Sequence, residues 1–128
     1  SVKESDKSAV AHLGAALVQL GFRLVATRGT ARCLQDAGVP TEVVNKATQG
    51  RPNVIDLLKN EQIDLIVNTT EGHGSIRDSA MIRRLALQNK VCYTTTLTGG
   101  EAFSIAIRYA RENDGIRVRR LQDLYGAG

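Results

Sequence analysis

The chain has no tryptophan, and aromatic residues make up only 4% of it. Proteins that hold single-stranded nucleic acid without sequence preference stack its bases on aromatic side chains. So few rings argue against a nucleic-acid partner. No apolar run approaches the roughly 20 residues of a membrane-spanning helix, so no membrane partner is expected either. Both common phosphate-loop signatures, G-x-x-x-x-G-K-[ST] and G-x-G-x-x-G, are missing. Cysteine is sparse: Cys33 and Cys92 form no C-x-x-C pair, which reads as two free, buried thiols in a reducing compartment. His12 and His73 lack Cys or carboxylate neighbours at metal-ligand spacing, and no metal site is expected.

What is present is an ordinary globular composition. The chain has 128 residues, 42% hydrophobic and 23% charged, which suits a single domain. Net charge is +4. That fits an anionic ligand without requiring one.

The most informative stretch is Ile63-Asp64-Leu65-Ile66-Val67-Asn68-Thr69-Thr70-Glu71-Gly72. Its apolar run ends abruptly in polar residues, as in a strand buried on both faces. Around it the chain alternates. Val2 and Lys3 read as the end of a first strand whose start is missing. Asp6 caps a helix through Leu20, with Gly21 as its stop. Phe22 to Ala26 is a strand, Thr27 to Thr30 a polar turn, and Ala31 to Ala37 a helix stopped by Gly38. Val39 to Val44 is a third strand, and Pro40 favours an edge position for it. Val54 to Lys59 is a short helix. After the central strand a helix begins near Asp78 or Ser79 and turns Ile82, Leu85 and Ala86 inward. Val91 to Tyr93 is a fifth strand. Gly99-Gly100 opens a helix to Arg111, with Ala102, Phe103, Ala106 and Tyr109 on its apolar side. The tail carries a basic strip, Arg117 to Arg120, and an amphipathic turn with Leu121 and Leu124. The alternation implies a parallel α/β sheet with helices on both faces.

In such a sheet the carboxyl ends of the strands gather at one edge, where ligands bind. Those ends carry Thr27, Gly29 and Thr30, then Asn45 and Lys46, then Asn68 to Thr70, then Thr94 to Thr96. Lys7 follows the first strand. Hydroxyls, a permissive glycine and two lysines around helix N-termini make an anion site. The plainer alternative is that these residues only cap helices. His73 is a candidate phosphate contact, and Asp78 suits a ribose diol or a helix cap equally. Arg83-Arg84 reads as a solvated face or a domain interface.

Several segments together resemble a known family. They are Ala26-Thr27-Arg28-Gly29-Thr30-Ala31, Val44-Asn45-Lys46, Gly50-Arg51-Pro52, Ile66-Val67-Asn68-Thr69-Thr70, Ile82-Arg83-Arg84 and Tyr93-Thr94-Thr95-Thr96-Leu97-Thr98-Gly99-Gly100. In this order they resemble the C-terminal regulatory domain of the large chain of bacterial glutamine-dependent carbamoyl phosphate synthetase. The resemblance implies a methylglyoxal-synthase-like fold: three-layer α/β/α, with a five-stranded parallel sheet in the order 3-2-1-4-5. It implies one regulatory nucleotide-binding domain over residues 1–128, a fragment of a much longer cytoplasmic chain. The domain itself is expected to be non-catalytic. Its parent would make carbamoyl phosphate from bicarbonate, glutamine and ATP, with Mg and K, for arginine and pyrimidine synthesis. A glutaminase small subunit would be its partner.

By the same resemblance the effectors are UMP, an inhibitor, and IMP, an activator, at one overlapping site. The phosphate falls to Lys7, Thr27, Gly29, Thr30 and Lys46. The ribose and base fall to Asn68, Thr69 and Thr70, with Ser1 and Asp78 nearby and Ile82 as an apolar wall. Thr95 matches the position facing an ornithine site. The nucleotide is expected to order the loop Glu71 to Ser75. His73 and Gly74 stand where the family often carries basic residues.

Three rivals share the pattern. A methylglyoxal synthase-type lyase acting on dihydroxyacetone phosphate needs a catalytic Asp in a Gly-rich segment between strands three and four. The only candidate there is Asp56, inside a short helix. An IMP cyclohydrolase domain would need a longer C-terminal extension. A plain interaction module would show no response to phosphate.

Overall fold

The structure is a computed structural model. It describes residues 1–45, 50–70 and 76–113, and the side chains of 76–79 lie outside that description.

Val10, Leu13 and Leu17 recur at helical spacing and build α1 (Lys7–Gln19), with all three buried. Asp6 precedes it in a short 3-10 turn (Glu4–Asp6). Its side chain makes no capping hydrogen bond, contrary to expectation. Gly21 ends the helix at φ +90, a conformation that favours glycine. β1 (Val25–Ala26) follows, then α2 (Arg28–Asp36) and β2 (Glu42–Val43). Residues 28–30 are thus the first helical turn of α2 rather than a polar loop, because Thr27 is already the N-cap residue. α3 (Val54–Lys59) falls where the sequence places it. It is held by a capping box: Asn53 accepts from the Ile55 amide at 2.9 Å, and Asp56 accepts from the Asn53 amide at 2.8 Å.

β3 (Leu65–Val67), α4 (Ile76–Gln88), β4 (Cys92–Thr94) and α5 (Leu97–Glu112) complete the order. α4 starts two residues earlier than expected, and so does α5. In α5 the N-cap is Thr96, whose hydroxyl accepts from the Gly99 amide at 3.0 Å. Gly100 is inside the helix because α5 crosses α1 and β3 there. A Cβ on it would lie 2.8 Å from Leu13 Cδ2 and 3.1 Å from Val67 Cγ2.

The strands are parallel, as alternation demands. They form two separate pairs, β1–β2 and β3–β4, instead of one five-stranded sheet. Val2 and Lys3 are extended but belong to no strand. β3 is half-buried along its length, not buried on both faces, because a cavity runs beside it. α1 packs against α2 and α5, while α3 packs against α4. The main core cluster joins Val2, Val10, Ala26, Ala31, Leu34 and Val39.

The apolar side read for α5 is largely wrong. Ala102, Ala106 and Tyr109 are exposed, as is Ile105, while Gly100 and Ser104 are buried. Close crossing selects small residues for the inner face, so hydrophobicity points the wrong way. Cys33 is half-buried, but Cys92 is exposed, which corrects the expectation of two buried thiols. The tail from residue 114 lies outside the described residues.

Candidate anion site at the strand ends

α2 begins at the carboxyl end of β1, and its first turn faces outward. Thr27 is extended there (φ −66, ψ 160), and its side chain does not cap the helix. Its hydroxyl instead donates to Ser1 Oγ at 3.2 Å. The amides of the first turn are therefore not met by the threonine that precedes them. They carry the positive end of the helix dipole. Lys7 reaches this turn from α1. A Cβ on Gly29 would lie 3.0 Å from the Lys7 ammonium nitrogen. Gly29 is helical, so its role is to leave room for the lysine rather than to supply an unusual backbone angle. Lys7 also donates to Glu4 at 2.7 Å, but Glu4 is 88% exposed, so the pair is weak and easily exchanged. Arg28, also exposed, stands in the same turn. Sequence reasoning did not select it, because a lone arginine at a helix start carries no signal.

Thr30 is buried, and its hydroxyl accepts from the Val2 amide at 3.1 Å. Thr69 is buried as well. Its amide donates to the Ser1 carbonyl at 3.0 Å, and its hydroxyl accepts from the Lys3 amide at 3.0 Å. Ser1 N donates to the Val67 carbonyl at 3.1 Å. These bonds pin the segment Ser1–Lys3 between the ends of β1 and β3, bringing the two groups of site residues together. Asn68 is turned inward. It donates to the Tyr93 hydroxyl at 3.1 Å, and its side-chain oxygen accepts from the amide and hydroxyl of Thr70. Arg83 lies 5.2 Å from the Tyr93 ring centroid, within cation–π range. Tyr93 is the partner the sequence did not reveal, since nothing local links it to Asn68.

Of the other candidates, Ile82 is buried and lines the cavity beside β3, serving as both core and wall. Thr95 is exposed in the bend after β4. Lys46 and the loop Glu71 to Ser75, with His73, lie outside the described residues. So does the side chain of Asp78, although its backbone is in α4. Among the described residues no cluster of three or more His, Cys, Asp or Glu side chains could hold a metal ion.

Asp56 is fully engaged. Besides the Asn53 amide it takes two bonds from Arg51, at 3.0 and 2.7 Å. The Arg51 guanidinium, helped by the Asn53 amide, holds its carboxyl below the usual aspartate range. It is a poor proton acceptor at neutral pH.

Comparison with known proteins fits this geometry. The chain is 53% identical over 125 residues to the carbamoyl phosphate synthase large chain of Pseudomonas aeruginosa. It is 52% identical over 125 residues to that of Halomonas eurihalina. Each match covers 98% of this chain but only 11% of the relative, and lies in its C-terminal region. The large chain of Xylella fastidiosa strain 9a5c is 50% identical over 109 residues, which is 85% of this chain and 10% of that one. The sequence profile of the MGS-like domain matches residues 9–95, and the chain belongs to that family.

Proposed function

We propose that this chain is the effector-binding domain of a carbamoyl phosphate synthetase large chain, and that it binds a nucleotide monophosphate without catalysing a reaction. The observation that carries this reading is the Lys7 ammonium set over Gly29, in a helix turn whose N-cap side chain is directed elsewhere. A phosphate there would meet backbone N–H groups, a helix dipole and a cation together. Lys46 is assigned to the same phosphate from the family motif. Thr70 and the Asn68 turn stand on the ribose and base side. UMP as inhibitor and IMP as activator are the ligands this assignment takes. Thr95 is assigned to the ornithine side, on an exposed bend suited to meeting another part of the large chain.

The parent enzyme, on this reading, is an ATP-dependent cytoplasmic ligase with a glutaminase small subunit. Its ATP, Mg and K belong to other parts of the large chain, and no residue described here is assigned to them. The sheet order 3-2-1-4-5 belongs to the same proposal. It places a central strand between β1 and β3, where the two parallel pairs stand apart. The lyase reading is weakened by Asp56, whose carboxylate is occupied by its own helix cap and Arg51.

Isothermal titration tests the proposal. UMP and IMP should each bind the chain at one site and compete. Simultaneous saturation by both would refute a shared cradle. Turnover of dihydroxyacetone phosphate to methylglyoxal would refute the non-catalytic reading.

A further inference from the structure

A cavity of about 550 Å³ lies between β1 and β3. Its walls follow both strands, from Phe22 to Thr27 on one side and from Ile63 to Asn68 on the other. Six strand residues span roughly 20 Å, so this is a slot parallel to the strands. Leu13 of α1 and Ile82 of α4 also line it. Its polar groups are concentrated at the mouth, beside the anion cradle. An apolar slot of this shape is a poor seat for a nucleotide.

The backbone edges facing the slot follow from ladder parity. The carbonyls of Leu24 and Ala26 accept from Glu42 and Val44. In a parallel ladder alternate residues face opposite sides, so Val25 faces the slot. Asp64 and Asn68 serve β4, which leaves Leu65 and Val67 facing it from the other wall. Ser1 already occupies the next rung. Its N donates to the Val67 carbonyl, and its carbonyl accepts from the Thr69 amide, the alternation of a parallel strand. The curated relatives place long polypeptide ahead of the matched region.

We infer that in the longer protein an extended apolar strand leading into Ser1 fills this slot, and that it couples the anion cradle to the upstream chain. The coupling rests on the effector reading above, whereas the strand does not. Its physical basis is the segment Ser1–Lys3. Val2 holds Thr30, Lys3 holds Thr69, and Ser1 holds Thr27. A strand seated in the slot fixes Ser1 and so fixes three cradle threonines at once. By linkage, a ligand that orders the cradle tightens the strand in return.

The test compares residues 1–128 with the same chain carrying about ten further upstream residues of the longer protein, enough for one strand. Amide exchange at Val25, Leu65 and Val67 should be at least about tenfold slower in the extended form, and UMP should bind at least about fivefold tighter. Equal exchange in the two forms overturns the strand. Exchange that slows with protein concentration alike in both forms assigns the slot to a second copy and also overturns it. Slower exchange with equal UMP affinity keeps the strand and overturns the coupling. Slower exchange with no UMP binding by either form keeps the strand and rejects the effector reading instead.

Discussion

Replacing Leu58 with Ala is expected to destabilise the fold by about 2–5 kcal/mol, the range for truncating a buried leucine. Leu58 is 0% exposed. It sits on α3, a helix of one and a half turns packed against α4. A helix this short has little stability of its own, and its contact with α4 is what keeps it in place. Leu58 does not line the slot beside β3, so truncation opens new space instead of enlarging old space. Urea unfolding measures the loss. With a slope of about 1–3 kcal/mol per molar, the midpoint should fall by on the order of 1 M or more. A loss under about 1 kcal/mol would mean that α3 does not pack as described.

Replacing Lys7 with Ala is expected to leave the fold nearly unchanged and to weaken nucleotide binding. The Lys7–Glu4 pair is surface-exposed and contributes little. The same ammonium beside a phosphate makes a charge-assisted hydrogen bond of about 1.5–3 kcal/mol. That corresponds to roughly a tenfold loss of affinity or more. Titration of UMP into the variant, beside a thermal melt, separates the two effects. Unchanged affinity with a lowered melting temperature would make Lys7 a structural residue and move the phosphate elsewhere.

Alternation of apolar and polar segments was enough to expose the α/β class, the position of every helix and the gathering of threonines at one edge. Local signals also placed α3, where Asn53 and Asp56 stand at capping-box spacing. What local signals missed depends on distant partners. The outer face of α5 looks like a core face because its inner face had to be small. Asn68 is oriented by Tyr93, which no nearby pattern reveals. Thr30 and Thr69 read as ligand hydroxyls, yet both accept amides from the segment Ser1–Lys3. They shape the cradle as much as they line it. Gly29 was selected correctly but for the wrong reason, since its value is the space it leaves for Lys7.

The division of the strands into two pairs also bears on the order of folding. Val25 pairs with Glu42, and Leu65 pairs with Cys92. The join between the halves, Ser1 to Val67, spans 66 residues, more than twice either separation. Each doubling of a closed loop adds only about 0.6 kcal/mol, so the long join is a small burden on stability. Its effect is on timing, because non-local contacts form late. We therefore expect each βαβ half to assemble on its own and the halves to meet afterwards. Pulse-labelled exchange during refolding can follow this. The amides of Val44 and Asn68, bonded within their halves, should gain protection before that of Thr69, which bonds to Ser1. Simultaneous protection of all three would place the join in the nucleus itself.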